Sequence, residues 1–182
     1  MATKNNRRTI ITKKILKEAL LELLATKSIS KITIKEICDL SDMSRSTFYL
    51  HYQDQFALLE DIEKEVLEKT FENLNIASSE IQTLDSIVSF LSYVKSNSDT
   101  FGILLCQPEN LHFQKLIMDQ VSTFVRSSLP TFFDDKKDAV YFSFIMHGSL
   151  NVIVDWINSD YELPITDVAD VIFHSCNNIL NN

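Results

Sequence analysis

The sequence predicts an all-α fold, and three observations carry that prediction. The chain has 182 residues but only two glycines and three prolines, so it has few of the residues on which β-turns depend. Apolar residues make up 45% of the chain and recur at steps of three and four, the period of a helix that packs one face. Ser, Thr or Asp residues, which are preferred at helix N-caps, precede several of these apolar stretches and indicate where the helices begin.

The apolar stretches and their caps predict a helix order along the chain. Helices are expected over about 9–26, 34–41, 45–51, 54–73, 83–97, 99–106, 108–129, 134–157 and from Thr166 to near the C-terminus. The segments 27–32, 75–82 and 158–164 are read as connections. The first eight residues are polar and expected to be mobile, with Arg7 and Arg8 at the point where the chain enters the first helix.

The stretch 33–52, TIKEICDLSDMSRSTFYLHY, reads as two short helices around a tight turn. Thr33 and Glu36 have the spacing of a capping box, which starts a helix at Ile34. That helix is expected to end near Ser41, because Asp42 tolerates the left-handed backbone of a helix end. Ser44 then caps the second helix.

The second helix carries Arg45, Ser46, Thr47, Tyr49 and His51. Arginine can donate two hydrogen bonds to a guanine edge, Ser and Thr can bond bases or phosphates, and Tyr can contact a thymine methyl or a phosphate. The helix therefore predicts a DNA-reading surface. The alternative is a plain helical hairpin whose polar face is only solvated.

This order of residues resembles the helix-turn-helix of the TetR family of transcriptional regulators. The resemblance rests on Ser41-Asp42-Met43-Ser44, Thr47-Phe48-Tyr49 and His51-Tyr52, and it covers about residues 8–68. It implies a three-helix DNA-binding head at 8–68 with its motif at 33–52. It also implies a helical regulatory domain at 69–182 that forms a homodimer.

The resemblance also implies roles for individual residues. Thr33 and Ser44 would hold phosphates, and Arg45, Ser46 and Tyr49 would read bases. Backbone contacts would come from the remaining polar residues of this region, namely Thr47, His51, Tyr52 and Gln55. The family often has glycine where this chain has Asp42. It usually has a phosphate-gripping lysine where this chain has Gln53 or Gln55, so salt-dependent affinity should be weaker.

Charge is divided unevenly along the chain. The net charge of the whole chain is -8, but residues 1–52 carry +5 and residues 53–182 carry -13. A basic head is attracted to the phosphate backbone, and an acidic body resists nonspecific wrapping by DNA. The charge distribution therefore agrees with the position of the motif.

The C-terminal part offers apolar linings and no catalytic chemistry. A ligand pocket between helices is predicted from large apolar side chains, namely Tyr93, Phe101, Leu105, Phe124, Phe142 and Met146. A dimer interface between the last two long helices is predicted from small and apolar residues, namely Gly148, Ser149, Val152, Val168, Val171, Ile172, Ser175 and Ile179.

The apolar run 139–157 approaches the length of a membrane span. His147, Asn151 and Asp155 form a polar stripe along it, which is costly in lipid, so a helix buried on most sides is expected instead. Three widely spaced cysteines and the lack of a signal-peptide pattern favour a reducing, cytoplasmic location.

Known catalytic and metal motifs give no match, so neither a cofactor nor a metal is predicted. His174 and Cys176 are two apart on a helix and point in different directions. The resulting prediction is a homodimeric repressor, not an enzyme, that binds double-stranded DNA at a palindrome and leaves it when a small molecule binds. Two alternatives stay open: control by a protein partner without a pocket, and a helical metal-dependent enzyme using His112, His147 or His174.

Overall fold

The computed structural model of the protein describes residues 4–73, 83–106, 111–128 and 136–180, and within these ranges every regular element is helical. The helices are α1 Lys4–Leu24, α2 Ile34–Ser41, α3 Arg45–Tyr49, α4 Gln55–Asn73, α5 Leu84–Ser96, α6 Ser98–Cys106, α7 Leu111–Ser128, α8 Lys136–Asn158 and α9 Ile165–Leu180. The predicted all-α class is confirmed. The chain divides into two compact units, 1–66 and 67–182.

The first unit is built on a small apolar core. α1 packs on α2, and α2 packs on α3. The side chains with no exposed surface here are Leu16, Leu20, Ile37, Phe48 and Leu58. They come from α1 to α4, so each of these helices contributes to one core, which holds the short α3 in place although five residues cannot form a stable helix alone.

Phe48 is the residue of α3 on which this core depends most. Its ring is fully buried and lies 5.7 Å from the ring of Tyr49 and 6.0 Å from that of Tyr52. Phe48→Ala should destabilise the first unit by about 3–5 kcal/mol because it leaves a cavity. Urea denaturation followed by circular dichroism measures this. Leu50→Ala is the control, since Leu50 is 80% exposed; an equal loss in both variants would contradict the assignment of Phe48 to the core.

A polar network joins α1 to α4. The Tyr52 hydroxyl donates to Asp61 at 2.7 Å, and the ammonium groups of Lys17 and Lys13 lie 3.1 and 3.4 Å from the same carboxylate. Lys17 also contacts Glu65 at 2.7 Å. Burial would raise the pKa of Asp61, but the bonds from Tyr52 and Lys17 and the charges of both lysines outweigh it and lower that pKa. The network therefore fixes the chain after α3 against two longer helices.

The second unit is a helical bundle. α5 packs on α9 and α6, α6 packs on α7 and α8, and α8 packs on α9. Its most buried side chains include Leu91, Val94, Phe101, Leu104, Phe113, Trp156 and Val168. The Trp156 indole donates to the carbonyl of Leu163 at 2.8 Å and its ring meets Tyr161 edge to face, which anchors the connection between α8 and α9.

Three predicted helix boundaries were wrong. α1 begins at Lys4, so Arg7 and Arg8 lie on a helix, exposed, rather than in a mobile tail. α3 ends at Tyr49 instead of His51, because the amides of His51 and Tyr52 turn back to the carbonyl of Phe48. α9 begins at Ile165, so Thr166 lies in its first turn and does not cap it. The expected loop 75–82, and Pro108 and Asp134 or Asp135 as helix starts, lie outside the described residues.

The expectation that α8 is buried on most sides was also wrong. Only Ile145, Ile153 and Trp156 are buried, whereas Val140, Tyr141 and Phe144 are 68%, 50% and 74% exposed. The spacing of apolar residues could not show which face of α8 is exposed, because α8 is apolar around most of its circumference. Within the described ranges α8 is also the one helix long and apolar enough to cross a membrane by length and composition, which for a single helix is weak evidence.

Candidate nucleic-acid interface

The turn between α2 and α3 is built by the caps that the sequence predicts. The Thr33 hydroxyl accepts from the Glu36 amide at 3.3 Å, while the Glu36 carboxylate accepts from the Thr33 amide at 2.8 Å, so the capping box is present. Asp42 closes α2 in the left-handed conformation, with φ 53° and ψ 37°. Ser44 then accepts from the Thr47 amide at 3.1 Å and starts α3. These local predictions agree with the geometry.

The carboxylate of Glu36 occupies the N-terminus of α2. The bond from the Lys27 ammonium, followed by those from the Thr33 amide and hydroxyl, lowers the Glu36 pKa from 4.5 to about 2. Both Thr33 donors are thus engaged by a carboxylate. This arrangement is unfavourable for the predicted contact between Thr33 and a DNA phosphate, because the phosphate would approach the negatively charged carboxylate of Glu36.

The lowered pKa of Glu36 predicts a pH dependence of stability. A carboxyl whose pKa is depressed on folding stabilises the native state above its unfolded pKa, and this contribution is lost as pH falls through the folded pKa. The capping contribution should therefore be complete above about pH 4.5 and decline toward pH 2. Urea midpoints measured across this window should fall more steeply for the native protein than for Glu36→Gln. Equal slopes would contradict the ionic role of Glu36.

The outer surface of α3 presents polar side chains around one buried ring. Arg45, Ser46 and Tyr49 are exposed, the last by 57%, while Phe48 is fully buried beneath them. The hydroxyl of Ser44 lies 2.8 Å from those of Ser46 and Thr47. A guanidinium, a group of hydroxyls and a phenol therefore share one small surface, and these are groups that can bond base edges and phosphates.

The remaining predicted DNA contacts are placed unequally. His51 and Gln55 are partly exposed; His51 lies two residues after the end of α3, and Gln55 begins α4. Tyr52 is corrected to a structural residue, since its side chain is 6% exposed and its hydroxyl donates to Asp61. Burial, reinforced by Asp61, raises the pKa of the Tyr52 phenol. The aromatic spacing of the motif could not separate a buried tyrosine from an exposed one.

The sequence reading missed Leu50, which is 80% exposed immediately after α3. An apolar side chain held in solvent beside Tyr49 is a candidate for contact with a thymine methyl group. Its position after Tyr49 in the motif was the available signal, but the sequence analysis assigned Leu50 no role.

The structure separates the predicted ligand-binding residues. Phe142 and Met146 line an open groove of about 500 Å³ between α7 and α8. Phe101 and Leu105 are core residues with 0% and 2% exposure and are corrected to packing roles, whereas Tyr93 is partly exposed and packs edge to face on Phe101 at 5.6 Å. The side chain of Phe124 lies outside those described.

The predicted dimer residues divide in the same way. Val168 and Ile172 are 2% and 7% exposed within one chain, because this face of α9 packs inside the second unit, so they are corrected to core residues. Gly148, Val171 and Ser175 are exposed, and Ser149 and Val152 are partly exposed. A Cβ built on Gly148 would meet no atom within 4 Å. The side chain of Ile179 lies outside those described.

Two histidines of the metal-enzyme alternative have partners within their own helices. His174 pairs with Asp170 at 3.2 Å on the surface of α9, and His147 bonds the carbonyl of Ser143. Across the described ranges no group of three or more His, Cys, Asp or Glu side chains is placed to hold a metal ion.

Two sequence comparisons bear on the identity of the chain. The family model TetR_C_8, described as the C-terminal region of transcriptional regulators, matches residues 82–178, just over half of the chain. The chain is 32% identical over 109 residues to the uncharacterized HTH-type transcriptional regulator YxbF of Bacillus subtilis (strain 168). That match spans 57% of this chain and 28% of the relative's length.

Solved structures share the fold along nearly the whole chain. A TetR transcriptional regulator from Streptococcus agalactiae 2603V has a TM-score of 0.68 at 20% identity and covers 96% of this chain and 98% of its own. The dihydroxyacetone kinase operon activator DhaS has a TM-score of 0.56 at 18% identity and covers 94% of this chain and 96% of its own. The fatty acid degradation regulator FadR from Bacillus halodurans has a TM-score of 0.62 at 11% identity and covers 90% of this chain and 93% of its own. The helix-turn-helix geometry and the match over residues 82–178 lead to one conclusion: the chain belongs to the TetR family of transcriptional regulators.

Proposed function

We propose that this regulator reads a specific palindromic operator through α3. The observation that carries the proposal is the surface of α3, where Arg45, Ser46 and Tyr49 are exposed around the buried Phe48. In this arrangement Arg45, Ser46 and Tyr49 read base edges, while Ser44, Thr47, His51 and Gln55 contact the backbone. Thr33 is left out, because Glu36 engages its donors.

Electrostatics support this assignment. The segment that contains α1 to α3 carries +5, and the rest of the chain carries -13. Cations near the reading helix release counterions from the duplex, whereas the acidic body is repelled by DNA. Repulsion of the body favours docking by the head, residues 8–68, most of which belong to the compact unit 1–66.

Selection from random duplex DNA at near-physiological salt tests the proposal. The purified chain should enrich a near-palindrome whose half-sites are about one helical turn apart or slightly more, because a symmetric dimer presents two heads to one face of DNA. The enriched duplex then serves as the operator probe. A folded protein that enriches no motif would reject sequence-specific reading by α3.

A homodimer through α8 and α9 is part of the same proposal. Val140, Tyr141 and Phe144 are exposed on α8, Val171 is 54% exposed on α9, and Gly148 leaves room for close helix approach. Large apolar side chains left exposed on two helices that pack together are candidates for an interface. A four-helix arrangement of two α8–α9 pairs would cover them.

Control by a small molecule is proposed because the second unit holds a groove of about 500 Å³, within the range of ligand sites. The groove favours this mode over control by a protein partner alone. A ligand releases the operator only if it binds more tightly to a conformation in which the two heads no longer match the half-sites.

Repression is the proposed sign of regulation, since a dimer seated on a promoter obstructs transcription. The structural neighbour DhaS is named as an operon activator, so the fold itself does not decide the sign. Removing the protein should raise transcription from a promoter that carries the selected operator; a fall would reverse the assignment. We also place the protein in the cytoplasm, where its free cysteines Cys38, Cys106 and Cys176 stay reduced.

A further inference from the structure

The helical path of α3 continues one residue beyond Tyr49, to Leu50. The Leu50 backbone has helical values, φ -69° and ψ -20°, and its amide donates to the carbonyl of Ser46 at 3.2 Å. Residues four apart on a helix lie on the same face, so the side chains of Ser46 and Leu50 share one face of α3. Because a helical side chain leans toward the N-terminus, Leu50 covers the turn that carries Ser46 rather than the end of the helix.

This face points away from the core of the first unit. Two residues along a helix correspond to about 200° of rotation, so Leu50 lies nearly opposite Phe48. Phe48 is fully buried, whereas Leu50 is 80% exposed. Within the described part of the chain, no other large apolar side chain is as exposed. The burial of Phe48, which fixes α3, therefore also holds Leu50 outward at the middle of the candidate DNA surface.

Polar side chains flank Leu50 on both sides of this face. Arg45 and Tyr49 are exposed on one side, and Thr47 and His51 are partly exposed on the other. A flat apolar protein surface would bury Leu50 but would leave these polar groups without hydrogen-bond partners, which costs free energy. A suitable partner therefore presents a small apolar group among hydrogen-bond acceptors.

The major groove of DNA meets this requirement. Its edges carry the N7 and O6 acceptors of guanine and the N7 acceptor of adenine, and its apolar group is the methyl at C5 of thymine. 5-Methylcytosine presents the same methyl group at the same carbon. Contact between this methyl group and a leucine removes apolar surface of both from water and requires no hydrogen bond.

We propose that Leu50 reads DNA sequence by packing on the C5 methyl group of a pyrimidine, once in each half-site. This assignment rests on the proposed function, since it requires α3 in the major groove, and it adds the chemical group that Leu50 recognises. Removal of the methyl group leaves every hydrogen-bonding group of the base pair in place. A change of thymine to uracil therefore tests the apolar contact by itself.

Parallel selections from two random duplex libraries test this assignment with the full chain. One library contains thymine, and the other contains uracil in its place. From the thymine library, the native protein should enrich a motif with a strongly preferred thymine in each half-site, and this preference should weaken in the uracil library. Leu50→Ala should enrich the motif without that preference. The control, Leu111→Ala, shortens a leucine that is 65% exposed on α7 and should behave like the native protein.

Fluorescence anisotropy on the enriched operator measures the size of the effect. Uracil at the preferred position should weaken binding of the native protein about fourfold in one half-site and about fifteenfold in both, since one methyl-sized apolar contact is lost each time. Leu50→Ala should bind the thymine and uracil operators equally. Leu50→Met keeps a flexible apolar side chain and should retain part of the difference. A C·G pair at this position should gain about fourfold on methylation at C5, again only with Leu50 present.

The outcomes separate this assignment from the proposed function. If both libraries give the same motif, and uracil affects the native protein and Leu50→Ala equally, the role of Leu50 is overturned while sequence-specific reading by α3 stands. A C·G pair that gains nothing from methylation would also overturn reading of the methyl group. Enrichment of no motif from either library would overturn both this assignment and the proposed function. Circular dichroism checks that Leu50→Ala is folded.

Discussion

Arg45→Ala should weaken binding to the selected operator by about 1–3 kcal/mol and relax base preference at one position of each half-site. The side chain is exposed on α3 and extends from a helix whose register is set by the Ser44 cap and the buried Phe48. Truncation removes both the charge and the planar donor pair, without disturbing the core. Fluorescence anisotropy on the operator and on single-base variants measures both effects.

Arg45→Lys separates the two contributions. Lysine keeps the charge but cannot make the paired contact to a guanine edge, so base preference should relax while most salt dependence remains. Lys14→Ala removes a comparable exposed charge from α1 and should leave base preference intact. If Arg45→Ala instead lowered affinity equally for every sequence, Arg45 would be a backbone contact.

Phe144→Glu should dissociate the proposed dimer. The side chain is 74% exposed in one chain, and covering a phenylalanine contributes about 1.5–3 kcal/mol, counted twice in a symmetric interface. The dissociation constant should therefore rise at least about a hundredfold, since each 1.4 kcal/mol is a factor of ten. Analytical ultracentrifugation gives the constant, and affinity for the full palindrome should fall with it.

Leu84→Glu is the matched control for this prediction. Leu84 is a 37% exposed apolar residue at the start of α5, a helix that packs on α9 and α6. Like Phe144→Glu, Leu84→Glu adds a negative charge and removes an apolar side chain, but the dimer should persist. If the Phe144→Glu protein stays dimeric and binds the palindrome normally, the dimer interface does not include this face of α8.

The local architecture of the reading element was predictable because it depends on residues within a few positions of one another. The capping box of Thr33 and Glu36 and the cap at Ser44 are interactions that span three residues. Asp42 adopts the left-handed backbone at the helix end, which a short polar side chain tolerates because it can hydrogen-bond locally. The all-α class follows similarly, from turn-poor composition and helical spacing.

Tertiary packing decided what covers each helical face, which periodicity does not encode. Tyr52 is buried because Asp61, nine residues later on α4, accepts its hydroxyl bond. Phe101 and Leu105 entered the core of the second unit, while Phe142 and Met146 line the groove, although all four are large and apolar.

The sequence by itself determined the order of the helices, the caps at Thr33 and Ser44 and the chemistry on the surface of α3, since these arise from contacts within one or two turns. Only the tertiary structure decided that Val168 and Ile172 turn inward on α9 while Phe144 on α8 faces out. It also placed Met118 of α7 and Phe142 of α8 in the lining of one groove. Such pairings depend on which helices meet, and that is set by the summed burial of the whole bundle rather than by any one stretch of sequence.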